Sequence, residues 1–192
     1  MNKASRTIRH IHRDETINFL ESSHETGGSH TLIRVTLGPG KAAPAHSHHR
    51  QTELFECVQG QLIVMVDSKR HVLKVGETAT ALPTTLHTFR NSGSEPCTFT
   101  VRITPGNPGW EDMMRCSFGL IADGECWGDF PKDITTIAVL MTLGEANLPG
   151  PLTWFEPWLN RRAMTPAGRS RLAELRNRYT DAFEPPASEP TP

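Results

Sequence analysis

Residues 40–60 read GKAAPAHSHHRQTELFECVQG, a segment with three histidines and two glutamates. Residues i and i+2 of a strand face the same side, so His46 and His48 project together, as two imidazoles on one metal ion require. Glu53 follows closely enough for a bend to bring its carboxylate to the same centre. A second segment, GETATALPTTLHTFRN, supplies His87 from a different strand. These four residues are the predicted metal ligands.

Three imidazoles and a carboxylate form a mixed nitrogen and oxygen ligand set. Such a set suits divalent iron, manganese, nickel, copper or zinc better than calcium or magnesium. In an octahedral shell, four protein ligands leave two positions open for water, a substrate or dioxygen. A catalytic site needs such open positions, whereas a structural site is closed. We therefore expect one divalent transition metal per chain, of an identity that the pattern leaves open.

The two segments resemble the paired motifs of the cupin family, and the resemblance covers roughly residues 30 to 105. Pro83 lies one residue later than the family's usual proline, and Thr84 stands where a glycine is common. These departures affect the turn before the last histidine more than the ligand itself. The matching positions are Gly40, His46, His48, Glu53 and Gly60 in the first motif, and Gly76, His87 and Asn91 in the second.

The resemblance implies a mostly β protein, with a double-stranded β-helix (jelly-roll) barrel and the family's set of three histidines and one glutamate. The surrounding pattern agrees, because short β-like runs such as Thr31–Leu37 and Leu62–Val66 alternate with turn residues. No helix-length periodic segment separates these runs, which excludes a βαβ arrangement. We expect the following division: a polar N-terminal arm at 1–15, the barrel at 16–105, a loop and helical C-terminal extension at 106–183, and a disordered tail at 184–192.

The C-terminal extension contains three predicted helices, over about 134–143, 152–162 and 166–183. Asp133 is a plausible N-cap of the first helix, and the third begins with Thr165 as cap and a proline in the first position. Residues 110–132 are rich in glycine and aromatic residues, and the pattern assigns them no structure.

A substrate pocket is predicted from the same period-two alternation. If Glu53 and His87 face the barrel interior, the apolar residues two and four positions along their strands face inward as well. Core packing explains these residues equally well, since small barrels hold either side chains or one small ligand. Glu53 is also the predicted catalytic residue, acting as a general base. The predicted pocket residues are Gln51, Phe55, Cys57 and Phe89.

Other histidines are expected to lie outside the site. His10 and His12 share the His-x-His spacing, but no suitably placed carboxylate accompanies them, so we expect them in a mobile arm. His49 points opposite to His48 and is expected to face solvent.

Composition and charge limit the kinds of binding partner and cellular location that we expect. The formal net charge of −1 gives no reason to expect nucleic acid. The chain shows no secretory signal and no apolar run of the roughly twenty residues that a membrane span needs. With four cysteines and no CxxC pair, reduced thiols and a cytoplasmic location are expected. The apolar face formed by Trp154, Phe155, Trp158 and Leu159 is expected to pack on the barrel or on a second subunit, and we expect a homodimer.

The predicted function is that of a metal-binding cupin acting on a small organic molecule. Cupins with these four ligands are often dioxygenases, so the resemblance favours a metal-dependent oxygenase, an oxidoreductase. A non-catalytic protein that binds a small ligand and a metal-dependent isomerase are the alternatives. Fold alone does not decide between them.

Overall fold

The structure is a computed structural model that describes residues 6–147 and 154–180. Short antiparallel strands make up its first half. They are β1 (Thr7–His10), β2 (Glu15–Glu21), β3 (Thr31–Leu37), β4 (Ser47–His48), β5 (Thr52–Gln59), β6 (Leu62–Val66), β7 (Lys69–Leu73), β8 (Thr78–Ala81), β9 (His87–Arg90) and β10 (Cys97–Thr104).

The strands form two main sheets around one core. The larger sheet has the order β1-β2-β3-β10-β5-β8, and the smaller has the order β7-β6-β9. Strand β5 alternates as the sequence predicts, with Glu53, Phe55 and Cys57 buried and the residues between them exposed. Phe99 of the larger sheet is fully buried, with its ring 5.0 Å from that of Phe89 on the smaller sheet. The double-stranded β-helix barrel predicted from the sequence is therefore confirmed.

Strand β1 corrects the prediction of a loose polar arm over residues 1–15. Ile8 lies opposite Ile17 and His10 lies opposite Glu15, so β1 adds an edge strand to the larger sheet. Edge strands carry polar side chains on their open side. The polar composition therefore reflected an edge position rather than the absence of structure. Residues 1–5 lie outside the described residues.

Four helices follow in the described part of the extension: α1 (Pro108–Ala122), α2 (Ile134–Gly144), α3 (Glu156–Ala163) and α4 (Pro166–Tyr179). The predicted caps are confirmed, because Asp133 accepts a hydrogen bond from the backbone of Thr136 and Thr165 accepts one from that of Gly168. Helix α1 was not predicted. Helix α3 begins later than expected and α4 ends earlier, while 148–153 and the predicted tail at 184–192 lie outside the described residues.

Helix α1 joins the C-terminal extension to the barrel, because it contributes side chains to the cores of both. Its Trp110 and Phe118 join the barrel core, whereas Cys116 and Leu120 pack with α2 and α4 in a second core. The buried carboxylate of Glu111 accepts hydrogen bonds of 2.6 Å from the Ser23 backbone and from the Thr31 hydroxyl. Three short strands complete the described elements: β11 (Cys126–Trp127), β12 (Phe130–Pro131) and β13 (Ala146–Asn147).

The arginines of α4 lie beside acidic residues of the same chain. Arg176 pairs with Asp112 at 2.9 Å, and Arg178 pairs with Glu125 at 2.6 Å. Of the predicted apolar face, only Leu159 is buried. Among the described helices, none combines the length and the apolar character that crossing a membrane requires.

The homodimer stays a prediction. It can be tested at the exposed aromatic residues that lie in α3 and just before it. Trp154 is 88% exposed, and Phe155 and Trp158 are more than half exposed. We expect light scattering to give the mass of a dimer at micromolar concentration. Trp158→Ser should shift the protein towards monomer, because it removes apolar surface available to a second copy. A monomer mass for the unaltered protein would contradict the prediction.

Candidate metal centre and cavity

Backbone hydrogen bonds place two of the predicted ligands side by side. The N–H of His46 donates to the carbonyl of His87 at 3.0 Å, and the N–H of His87 donates back at 2.9 Å. The two ring centroids lie 4.5 Å apart, and the ring of His48 lies 5.0 Å from that of His46. The sequence prediction that the first two histidines project together agrees with this geometry.

Glu53 on β5 completes the cluster. Its Oε1 lies 3.0 Å from Nε2 of His48, and its Oε2 lies 3.2 Å from Nε2 of His87. Each of the four residues, His46 included, offers one ligand atom, and these atoms all lie within 4.8 Å of one another. One metal ion could therefore be held by all four side chains.

Backbone carbonyls orient two of the imidazoles. Nδ1 of His46 lies 2.9 Å from the carbonyl of Pro44, and Nδ1 of His87 lies 2.9 Å from that of Thr85. A carbonyl oxygen only accepts, so Nδ1 carries the hydrogen and the lone pair of the neutral ring sits on Nε2. Metal-binding histidines are commonly oriented in this way by their second nitrogen.

The residues present fit a transition metal ion. Within the described chain, Nε2 of both His48 and His87 is buried and forms no hydrogen bond, although Glu53 is near. A buried polar atom without a partner costs about 1–3 kcal/mol. An ion coordinated by these nitrogens would remove that cost, and the mixed donor set is one that transition metals prefer.

The electrostatics favour the ligating protonation states of Glu53 and His46, whereas the raised pKa of His87 opposes its ligating, neutral form until an ion is bound. Burial raises the pKa of Glu53, but the imidazoles of His48 and His87 lower it further, so its pKa lies well below the ordinary value. Burial lowers the pKa of His46 to about 4, against the opposing effect of Glu53. Burial also lowers the pKa of His87, but the Glu53 carboxylate outweighs it and the pKa is raised. At neutral pH, Glu53 is therefore ionised and His46 is neutral, as metal ligation requires.

The turn before His87 contains the departure from the family pattern noted at Thr84. This residue has a φ of +63°, in the left-handed region that glycine enters without steric cost. A β-branched residue there costs on the order of 1 kcal/mol or more. The backbone N–H of Thr84 donates to the carbonyl of His48 at 2.7 Å. The strained turn is thus attached directly to the segment that carries a ligand.

A cavity of about 300 Å³ adjoins the cluster. Three of the four ligand residues line it, and most of the remaining wall is apolar. Barrel residues supply one part of the wall and helix α1 supplies another; the residues concerned include Ile17, Phe89, Ile103, Trp110, Met113 and Phe118.

The predicted pocket residues divide between cavity and core. Phe89 lines the cavity, whereas Gln51, Phe55 and Cys57 do not. Phe55 is fully buried with its ring 6.0 Å from that of Phe89, and the thiol of Cys57 lies 3.6 Å from the carbonyl of Gly60. The alternation correctly predicted that the side chains of Phe55 and Cys57 point inward. These residues lie farther along β5 than Glu53, where the barrel interior is filled by packed side chains instead of the cavity. Gln51 is buried, and within the described chain neither atom of its amide forms a hydrogen bond.

Sequence reasoning missed a polar group of cavity residues: His10, Arg13, Glu15 and Asp129. His10 is fully buried, which corrects the prediction of a mobile arm. His49 is exposed, as expected, whereas His12 is exposed in the turn between β1 and β2 rather than in a mobile arm. The alternation of buried positions along β2, from Glu15 through Ile17 to Phe19, is a signal that could have placed the glutamate inside.

The barrel and the cluster of three histidines and one glutamate are the features that the resemblance to cupins implied. The family model described as "Cupin domain" matches residues 33–103. The chain therefore contains a cupin domain. A search of curated proteins found no match.

Several solved structures are similar to this chain over about half its length. One is described as a predicted oxalate decarboxylase from Thermotoga maritima, with 20% identity over 47% of this chain and 80% of that one, at a TM-score of 0.46. Another is an RmlC-like cupin from Shewanella frigidimarina, with 18% identity over 53% and 85% and a TM-score of 0.46. A third is a sugar phosphate isomerase from Silicibacter pomeroyi, with 26% identity over 47% and 59% and a TM-score of 0.41.

Proposed function

We propose that the protein is a metal-dependent cupin enzyme, an oxygenase that acts on a small organic molecule. The observation that carries this proposal is the position of the ligand cluster. His46, His48 and Glu53 lie in the wall of an apolar cavity large enough for a small ligand. A purely structural metal site would have no need of such a space beside it.

The four ligand residues would hold one divalent ion of iron, manganese, nickel, copper or zinc. Such an ion supplies Lewis-acid chemistry, which stabilises an enolate or phenolate oxygen of the substrate. Glu53 would hold the substrate's proton on a carboxylate oxygen as the general base. Phe89 and Trp110 both line the cavity and would exclude water from it.

The cavity wall also bears on the class of substrate. Aromatic and aliphatic side chains from the barrel and from α1 would favour a flat or aromatic molecule over a polar sugar. This argues against an isomerase acting on sugars. A non-catalytic binding protein would use the same cavity, so the distinction between binding and catalysis needs an experiment.

The experiment measures oxygen consumption by iron-loaded protein with a panel of small aromatic and diketone compounds. Binding of each compound is measured separately, on zinc-loaded protein. We expect at least one compound that binds to be turned over with uptake of oxygen. If compounds bind but none is oxidised, the oxygenase proposal is wrong and the isomerase or binding alternative replaces it.

Phe89→Leu tests the assignment of the cavity. The substitution removes part of an aromatic wall while leaving an apolar side chain in the core. We expect it to weaken the binding of an aromatic compound by about tenfold and to leave the metal content unchanged, both measured by calorimetry and elemental analysis. Cys57→Ala is the matched control, since Cys57 lies in the core and outside the cavity lining. Equal effects of the two substitutions on affinity would contradict the assignment.

A further inference from the structure

The short strand that contains His48 belongs to neither main sheet. Among the described strands, β4 pairs only with β13, which comes from the C-terminal extension. Ala146 stands opposite His48, and Asn147 stands opposite Ser47. A candidate metal ligand is therefore paired through its backbone with a segment that lies outside residues 33–103, the part of the chain that matches the cupin model.

An ion pair beside this strand joins the same two segments. The guanidinium of Arg50 donates from Nε to Oε2 of Glu145 at 3.1 Å and from Nη2 to Oε1 at 2.5 Å. A two-point contact of this kind fixes the orientation of both side chains. Arg50 ends the ligand segment, by which we mean residues 46–50, and Glu145 directly precedes β13. The ion pair therefore reinforces the pairing of β4 with β13.

Helix α2 connects these contacts to the rest of the extension. Val139 is buried in the second core, and Arg162 donates a hydrogen bond of 2.8 Å to the hydroxyl of Thr135 near the start of the helix. Glu145 is the C-terminal cap of α2. We call residues 134–147, which comprise α2, Glu145 and β13, the extension arm. The extension arm is anchored in the second core at one end and paired with the ligand segment at the other.

On the barrel side, the ligand segment forms no continuous ladder among the described residues. His46 forms an isolated bridge with His87, and the carbonyl of His48 accepts a hydrogen bond of 2.7 Å from the backbone of Thr84. A segment that is ordered only when a ligand binds loses part of the binding free energy to that ordering. Contacts that hold the segment in place beforehand should therefore raise its affinity for a metal ion.

We propose that Arg50 and Glu145 are positioning residues of the metal centre, and that the extension arm holds His46 and His48 in the geometry that binds the ion. The proposal rests on the metal centre of the proposed function, but not on oxygenase chemistry. It assigns the C-terminal extension a part in metal affinity that the resemblance to cupins does not imply.

The test measures the dissociation constant for zinc, by titration calorimetry, in Arg50→Glu, in Glu145→Arg and in the double variant that exchanges the two charges. Each single variant places like charges together, so we expect each to raise the dissociation constant by about fivefold or more. The double variant restores a pair of opposite charges. Its dissociation constant should return to within about twofold of that of the unaltered protein.

The two single variants also distinguish positioning from a direct effect of charge. A negative charge introduced near the cluster attracts a divalent cation, and a positive charge repels it. Charge alone would therefore strengthen zinc binding in Arg50→Glu and weaken it in Glu145→Arg, whereas loss of positioning weakens it in both. Unchanged or tighter binding in Arg50→Glu would overturn the proposal, as would a double variant that binds as weakly as the single variants.

Arg176→Glu is the matched control. It makes the same charge reversal in an ion pair with Asp112, which joins α4 to α1 instead. Its dissociation constant for zinc should equal that of the unaltered protein. A loss of zinc affinity as large as that of Arg50→Glu would show a general effect of stability, and the assignment to the extension arm would then be wrong.

Hydrogen exchange separates this proposal from the proposed function. In metal-free protein, the backbone amides of residues 44–52 should exchange faster in both single variants and return to the native rate in the double variant, because exchange reports local opening. A protein that binds zinc but consumes no oxygen contradicts the oxygenase alone. If the unaltered protein binds no zinc, the metal centre is wrong. Native exchange rates in both single variants would overturn the positioning role whether or not zinc binds.

Discussion

Replacing His46 and His48 by alanine together is expected to reduce bound metal from about one ion per chain to less than about a tenth of that. The double substitution removes half of the four side chains that converge within 4.8 Å. Two ligands are too few to hold a divalent transition ion against water in a site of this kind. Elemental analysis of protein purified without added metal, and again after reconstitution, measures the difference.

The control for this experiment lies in the same segment. His49→Ala removes a neighbouring histidine whose side chain is exposed and lies outside the four-residue cluster. Its metal content should equal that of the unaltered protein. Added metal should also raise the melting temperature of the unaltered protein and of His49→Ala, but not that of the double variant, since only the native state with its ligands binds the ion. Full metal occupancy in the double variant would contradict the assignment.

The cluster of candidate metal ligands could be predicted from sequence because most of its geometry is local. Period-two alternation places His46 and His48 on one side of a short segment, and Glu53 begins the same pattern on β5. Only His87 comes from a distant part of the sequence, and it was predicted from the residue spacing of the second motif. The structure adds what the pattern could not, namely the reciprocal hydrogen bonds between His46 and His87 that set the distance between the two motifs.

The cavity could not be predicted, because long-range packing forms it. Helix α1 supplies part of the wall, and its start was missed although Asn107 caps it by accepting a hydrogen bond from the backbone of Trp110. An asparagine followed by a proline is a helix-start signal. In this sequence it lies inside Gly106-Asn107-Pro108-Gly109, which is equally typical of a loop.

The polar group of cavity residues, His10, Arg13, Glu15 and Asp129, was missed for a different physical reason. Charged residues at a chain terminus usually remain in solvent, and the first fifteen residues are polar. Here the pairing of β1 with β2 brings His10 and Glu15 together, and Asp129 approaches from a turn more than a hundred residues later. Neither the composition nor the alternation of buried residues can predict a contact between residues so far apart in the sequence. The sequence prediction therefore gave the candidate metal ligands and left out the second polar group that lines the same cavity.

Glu53→Gln is expected to retain part of the bound metal and to lose turnover by about 100-fold or more, the range that general acid–base catalysis contributes. The amide keeps the shape of the side chain and one oxygen that can ligate. It loses the negative charge and the second oxygen that would hold the substrate's proton. In the native structure these two oxygens face the Nε2 atoms of His48 and His87, in a residue that is only 4% exposed.

Oxygen consumption per bound iron measures this loss independently of metal content. Glu56→Gln is the matched control, since it makes the same change on the same strand at an exposed position, and its rate per iron should be unchanged. A Glu53→Gln variant with the native rate per iron would show that the carboxylate only ligates. In that outcome the proton must be held elsewhere, and the catalytic role of Glu53 is wrong while its role as a ligand stands. Loss of all metal from Glu53→Gln would instead show that the charge of the carboxylate is what holds the ion.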